Sequence, residues 1–342
     1  MFEWLGPLKP AIPPLFHILI FPGLITLLIL LLIIIWLERK IAGKVQLRYG
    51  PLYVSKRIGG ALQTLSDLLR YTFQEIIPPK EADKWAFVLI PGLMIGFSVL
   101  PLAFIPVGEY FPLPVSTSLL AAVALIALNP LLIVLVGWAT SNKFAVIGSL
   151  REAFLIISYE VPFLISVLSM IIIYNSIDLL QIVNKQAMMW GAVLNPLAAI
   201  VFLITAARST GRFPFEICEA ESELIMGPYT EYSGLFFGIV MGVSYMELYA
   251  YALVFADLFM GGWLPVTALP MTGIALIDKG LLPGLVTVGK AFIIMVVMIF
   301  LRSVYPRYRV DQGIRIGWER MFPISLLALF LSMGLVIGGV AL

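Results

Sequence analysis

The sequence predicts an all-α integral membrane protein of about eight transmembrane helices, with amphipathic helices in long cytoplasmic loops. Three observations carry this reading. Of 342 residues, 61% are hydrophobic and 12% charged, where a soluble domain carries about a quarter charged residues, and the mean hydropathy is +1.02. Apolar runs recur at about the length that crosses a hydrocarbon core of ~30 Å, roughly 20 residues per helix. The cations are segregated: 18 of the 22 Lys and Arg fall in alternate connections.

Taken in order, the apolar runs give spans at about 15–37, 86–107, 116–139, 153–174, 188–207, 234–257, 283–301 and 322–341. The second and fourth contain Pro101, Pro106 and Pro162, which a bundle tolerates when neighbours satisfy the freed backbone groups. The N-terminus lacks a basic region and a small-residue cleavage site before its apolar run, so the first run reads as a permanent helix. The cation-rich odd loops are predicted to be cytoplasmic and both termini external. One polytopic domain, 1–342, is expected, with long cytoplasmic loops at 38–85 and 208–233. Within the first, Leu62, Leu65, Leu68, Leu69 and Phe73 keep helical spacing up to Pro78-Pro79. That segment is predicted to be an amphipathic helix at the interface, serving as membrane padding, a docking element or a cavity wall.

Several chemistries are excluded. One cysteine, Cys218, and one histidine, His17, cannot build an intrachain disulfide, an iron–sulfur site or a haem pair. A redox cofactor therefore belongs to another chain. There is no H-E-x-x-H, no Walker A sequence and no G-x-G-x-x-G after a strand. The net charge of +2 and a topological cause for the cation asymmetry argue against a nucleic-acid partner; the expected solvent is lipid.

Charge is concentrated in "RFPFEICEAESELIMGPYTEYSG", which places Glu216, Glu219, Glu221 and Glu223 within eight residues. Pro214 suits a first helical turn and Gly227-Pro228 a stop, so a helix is predicted. At about 100° per residue it would carry Glu216, Glu219 and Glu223 on one face, with Glu221 elsewhere. Two readings fit: a protonatable cluster near membrane depth, or a solvated acidic face neutralised by Arg208 and Arg212. Glu152, Glu160, Glu247 and Lys290 lie in or beside apolar spans. An ionised residue at a helix centre costs roughly 2.5–3.5 kcal/mol, so such groups face a polar interior. Glu152 and Glu160 project from similar faces, and Glu247 and Lys290 are candidates for pairing. Asp257 and Asp178, near predicted span ends, are expected to reach water. Together these groups suggest a titratable chain from loop five into the bundle.

Four stretches then invite a family. "ERKIAGKVQLRYGP", "SYEVPF", "GRFPFEICEAESELIMGPYTEYSG" and "PRYRVDQGIRIGW" resemble, in order and spacing, signatures of the subunit joining the membrane and peripheral arms of respiratory complex I. This is the NuoH or NADH dehydrogenase subunit 1 family, which extends to membrane-bound hydrogenases and related ferredoxin-driven complexes. The resemblance implies a coupling subunit without a catalytic residue or cofactor of its own. Its implied partners are hydrophilic iron–sulfur and catalytic subunits on the cytoplasmic side and antiporter-like membrane subunits, in the plasma membrane. It implies an ion path through Glu160, Arg212, Glu216, Glu219, Glu221 and Glu223, with Asp67 an acidic position of loop one. Glu152, Glu247 and Lys290 join the path on their own placement, and Arg39, Arg48, Arg307, Arg309 and Asp311 are the docking candidates.

The chain departs from the quinone-linked pattern in places. "STGRFPFE" stands where those members resemble "ETNRAPFD", so Ser209 replaces glutamate and Gly211 asparagine. "LYVSK" follows Pro51, and Ser244 stands near the usual sixth-span glutamate, with Glu247 about a turn later. These changes favour a ferredoxin-driven hydrogenase or sulfur-reducing complex over a quinone-site subunit of NADH:quinone oxidoreductase. A stand-alone secondary transporter is the third alternative; it would require inverted repeats.

Overall fold

The computed structural model describes residues 19–108, 113–212, 214–265 and 280–339; His17 lies outside them. The described residues are helical, without a strand. In chain order the helices are α1 (Leu24–Val45), α2 (Leu62–Phe73), α3 (Lys84–Val99), α4 (Ser118–Ile126), α5 (Leu128–Ala139), α6 (Lys143–Tyr174), α7 (Leu179–Lys185), α8 (Gly191–Leu194), α9 (Pro196–Ser209), α10 (Glu221–Leu224), α11 (Gly234–Phe259), α12 (Leu282–Val304), α13 (Val310–Ile316) and α14 (Phe322–Ile337). Six continuous stretches among the described residues are long and apolar enough to cross a membrane: Lys84–Ala103, Ser118–Ala139, Lys143–Tyr174, Gly234–Phe259, Leu282–Val304 and Val310–Ile337. The chain is a multi-pass membrane protein.

Two of the eight expected spans differ for identifiable reasons. The first begins among residues outside the described set, and its helix, α1, carries the charged Glu38, Arg39 and Lys40 well before its end at Val45. The fifth is only the 14-residue α9. Asn195 caps its start, accepting from the Ala198 N–H at 3.0 Å, and donates to the Ala328 carbonyl and Ser332 hydroxyl of α14, both at 2.8 Å. This amide caps the start of the helix and ties it to α14, so that the cap is satisfied inside the bundle. Pro162 lies inside α6 without ending it; the second span instead tightens to a 3₁₀ turn at Leu100–Ala103, at Pro101.

The core is built around α6 and α11. α6 packs against α5, α9 and α14, and α11 against α3 and α12, with α1 beside α12. At 1.5 Å per residue, the 32 residues of α6 run roughly 48 Å, so its first turns extend beyond a ~30 Å core. The odd loops gather at one end: the Asp83 N–H bonds the Ala139 carbonyl at 3.1 Å, Tyr308 N–H the Pro214 carbonyl at 3.0 Å, and the Ile77 N–H the Ser233 hydroxyl at 3.0 Å. The loop-one helix forms as the spacing predicts. Leu62, Leu65, Leu68, Leu69 and Phe73 on α2 are all exposed, an apolar face offered to lipid or to another protein.

Candidate functional site at the loop end of the bundle

Loop five organises the charged centre. After α9, the Gly211 N–H bonds the Arg208 carbonyl at 2.9 Å and the Arg212 N–H the Ala207 carbonyl at 3.0 Å, a Schellman closure whose left-handed residue is Gly211, at φ +61°. This turn separates two buried arginines. Arg208, 1% exposed, points its Nη2 at Glu152 of α6, 2.7 Å from Oε1 and 3.1 Å from the backbone carbonyl. Arg212 donates to Glu38 Oε2 of α1 at 2.7 Å, its guanidinium 4.0 Å from the Tyr245 ring centroid, a cation–π contact.

Glu38 is a hub. Besides Arg212 it accepts from the Tyr245 hydroxyl of α11 at 3.2 Å and pairs with Arg302 of α12, and Arg302 reaches on to Glu216 Oε2 at 3.2 Å. One carboxylate thereby ties α1, α11, α12 and loop five together through charge-assisted bonds.

The helix predicted after Pro214 does not form; within that segment only α10, Glu221–Leu224, is helical. Phe215, Ile217, Cys218 and Ala220 are buried and hold 214–220 in an irregular path. Gly227 adopts φ +54°, and a Cβ there would stand 2.0 Å from the Cys218 carbonyl. The glutamates consequently diverge instead of sharing a face. Glu216 goes to Arg302, Glu223 to Arg151 at 2.5 Å, and Glu219 lies near Cys218 and Tyr229. Glu221 opens α10, and its side chain lies outside the described set. Burial pushes the Cys218 thiol up, and the Glu152 and Glu219 charges push the same way. Neither Arg208 nor Arg212 forms a salt bridge with a loop-five glutamate among the described residues; their pairs are Glu152 and Glu38.

Deeper in the bundle the donors thin out. Glu160, two turns beyond Glu152, has its Oε1 buried without a hydrogen-bond partner among the described residues. Glu247 is 2% exposed, likewise with an orphan Oε1, and sits beside Asn129, whose amide donates to Ser98 at 2.9 Å. Lys290 does not pair with Glu247; its Nζ donates to the carbonyls of Met260, Gly262 and Leu264 at 2.7, 2.7 and 2.6 Å. That loop folds back over the end of α11 and offers three acceptors closer than any carboxylate. Asp257 does not reach water: it is fully buried. Asp178 caps α7 and accepts from Ser118 at 3.1 Å.

The docking candidates line the loop surface. Arg39 pairs with Asp67 of α2 at 2.5 Å, and Arg48 donates to Gln46 at 2.7 Å; Arg39, Arg48, Glu38 and Arg302 wall a crevice of about 620 Å³. Arg307 donates to Ser222 at 2.9 Å. With Arg309, Asp311, Arg151 and Glu223 it surrounds a second cavity of about 220 Å³. Sequence reasoning missed Glu38, Tyr245, Arg302, Asn129 and Asp257 as site residues. The available signal for Glu38 was a carboxylate in the last turns of an apolar helix, facing inward.

The arrangement separates paired from unpaired carboxylates. Near the loops each described carboxylate of the hub has a guanidinium partner, whereas Glu160 and Glu247 have an oxygen that only an added proton or an added donor would satisfy.

The family model described as NADH dehydrogenase matches residues 18–333. The chain is 38% identical over 297 residues to the H subunit of NADH-quinone oxidoreductase from Geobacillus sp. (strain WCH70), covering 86% of each chain. It is 35% identical to the same subunit of Geobacillus thermodenitrificans over 97% of this chain and 98% of the relative, and 33% identical to that of Bacteroides fragilis over 91% and 88%. With buried charge at one end of a helical bundle and a match along nearly its whole length, this chain belongs to the NADH dehydrogenase family of complex I membrane subunits, the NuoH family.

Proposed function

We propose that this chain is the membrane-arm coupling subunit of a complex I-type oxidoreductase, anchoring the peripheral iron–sulfur arm and linking its electron transfer to proton or sodium movement. The observation that carries the reading is the grading of carboxylates: Glu38, Glu152, Glu216 and Glu223 bridged to arginine near the loops, then Glu160 and Glu247 with orphan oxygens deeper in the bundle. A charge change at the loop surface acts on Arg302 or Arg212, shifts the Glu38 hub, and alters the field on the deeper acids, whose protonation follows. The chain itself supplies no redox group. Its loop surface, cytoplasmic by the cation distribution, docks iron–sulfur and catalytic subunits through Arg39, Arg48, Arg307, Arg309 and Asp311. Antiporter-like subunits and lipid flank the spans, and both termini are external in the plasma membrane.

For the electron acceptor, the quinone reading draws support from the relatives, which are named for it. Gly211 does not weigh against it: at φ +61° asparagine, like glycine, is accommodated. A second reading, a ferredoxin-driven hydrogenase or sulfur-reducing complex, rests on Ser209. This buried residue lies next to Arg208 where the quinone-linked pattern has a carboxylate. The test is mass spectrometry and metal analysis of whatever co-purifies with the tagged chain in mild detergent. A complete flavin-containing NADH-oxidising module supports the quinone reading; iron–sulfur and antiporter-like subunits without it support the ferredoxin reading, and nickel identifies a hydrogenase. Recovery of the chain alone under conditions that preserve other complexes would overturn the coupling role and favour a secondary transporter.

A further inference from the structure

At the end of α11 opposite the loop cluster, Asp257 is fully buried. Neither carboxylate oxygen has a hydrogen-bond partner among the described residues, and none of their ion pairs includes it. Its main chain, in contrast, is fixed. Gln186 Nε2 donates to the Asp257 carbonyl at 2.5 Å, while Gln186 Oε1 accepts from Gly261 N–H at 2.9 Å and from Gly191 N–H at 3.2 Å. Asp257 Oδ1 faces Gly262, one of the three residues whose carbonyls hold the Lys290 ammonium. That ammonium is close enough to act electrostatically on Asp257 and stands 5.1 Å from the Trp190 ring centroid.

We propose that Asp257 is a proton-binding site at this membrane face, with the Lys290 ammonium as a counter-charge that moves between the carbonyl cage and the carboxylate. Donor accounting gives two self-consistent states. As the neutral acid, Asp257 needs no cation, and Lys290 stays in the cage; the site carries one positive charge. When the acid releases its proton to water, a fully buried carboxylate without a donor is strongly unfavourable. The Lys290 ammonium, keeping its own three protons, swings to it on its flexible stem, and the site becomes neutral. Water replaces the ammonium at the carbonyls of Met260 and Leu264, two partly exposed residues. The other groups of this region do not compete for the role. Lys185 is engaged with the Tyr174 carbonyl at 2.6 Å, Asp178 is a helix cap bonded to Ser118, and Tyr249, two turns back on α11, is a buried phenol. The site extends ion binding to a second end of the subunit and holds for either electron acceptor.

The test is pH-dependent infrared difference spectroscopy of the intact complex, following the C=O stretch of protonated carboxylic acids. A band is expected in the unaltered complex that disappears completely in Asp257→Asn, a nearly isosteric change. In Lys290→Met, where the counter-charge is gone, the same band should survive to a pH higher by about one to three units. Lys290→Gln keeps donors for the carbonyl cage without the charge and should give the same displacement, so failure of the methionine variant to assemble leaves the measurement intact. A spectrum unchanged by Asp257→Asn would overturn the site, and a pH dependence unchanged by loss of the Lys290 charge would overturn the counter-charge. Erasure of the band by sodium at constant pH would make this a cation site and overturn the proton assignment.

Discussion

Replacing Glu152 with leucine should destabilise the bundle, because Arg208 has little else to hold. Its side chain is 1% exposed, and both of its described bonds come from Nη2 and run to Glu152, one to the carboxylate at 2.7 Å and one to the backbone carbonyl at 3.1 Å. Nε and Nη1 are already buried without partners among the described residues. Removing one member of a buried pair costs about 3–5 kcal/mol, since the other is left as an uncompensated charge. The backbone bond survives the substitution, which places the expected loss near the lower bound, about 3 kcal/mol, or roughly a hundredfold in the folding equilibrium. Arg208→Met should cost a comparable amount. The double variant should recover to within about 1 kcal/mol of the parent, because an apolar pair of similar volume replaces two desolvated charges. Reversible unfolding in mixed micelles with rising SDS fraction, followed by far-ultraviolet circular dichroism, measures all four corners of this cycle. A single-variant loss below about 1 kcal/mol, or a double variant as unstable as the sum of the singles, would refute the reasoning.

Three further outcomes follow from the same geometry. Glu160→Gln should depress ion translocation and coupled turnover while leaving dye reduction by the peripheral arm largely intact; unchanged translocation per electron would remove Glu160 from the path. Gly227→Ala should destabilise the chain by about 1–3 kcal/mol, combining a non-glycine residue at φ +54° with a Cβ driven into the Cys218 carbonyl, and a loss under about 0.5 kcal/mol in the same SDS titration would contradict it. Cys218, buried and with its thiol pushed up, should react with a maleimide at about pH 8 at least roughly a hundredfold more slowly in the native protein than after denaturation, because the thiolate is the nucleophile; equal labelling rates would show that loop five opens freely.

Hydropathy made six of the eight expected spans legible, and period-3.6 spacing made α2 legible, because both depend on local composition. Loop five was not legible for the opposite reason. Its proline start and glycine stop satisfy helical rules, yet Phe215, Ile217 and Cys218 are pulled into the interior by tertiary burial, which overrides local preference. The partners of charges were equally hidden. Glu247 and Lys290 pair well on paper, but the carbonyls of Met260, Gly262 and Leu264 lie nearer to the ammonium. Arg208 and Arg212 sit beside four glutamates in sequence and take two others in space, because the Gly211 turn aims them back at α6 and α1.

The Glu38 hub also sets a timetable for biogenesis. Glu38 leaves the ribosome 174 residues ahead of Arg212, and Arg302 follows later still. During insertion α1 therefore carries a carboxylate whose partners do not yet exist, about two turns before the helix ends, where the neighbouring Arg39 and Lys40 allow it to wait in the headgroup layer. Only after α11 and α12 arrive with Tyr245 and Arg302 can that end of α1 be drawn into the bundle. Truncated chains ending before α12 should accordingly remain exposed to membrane proteases at α1, whose charged end is held in the bundle only once Arg302 has arrived.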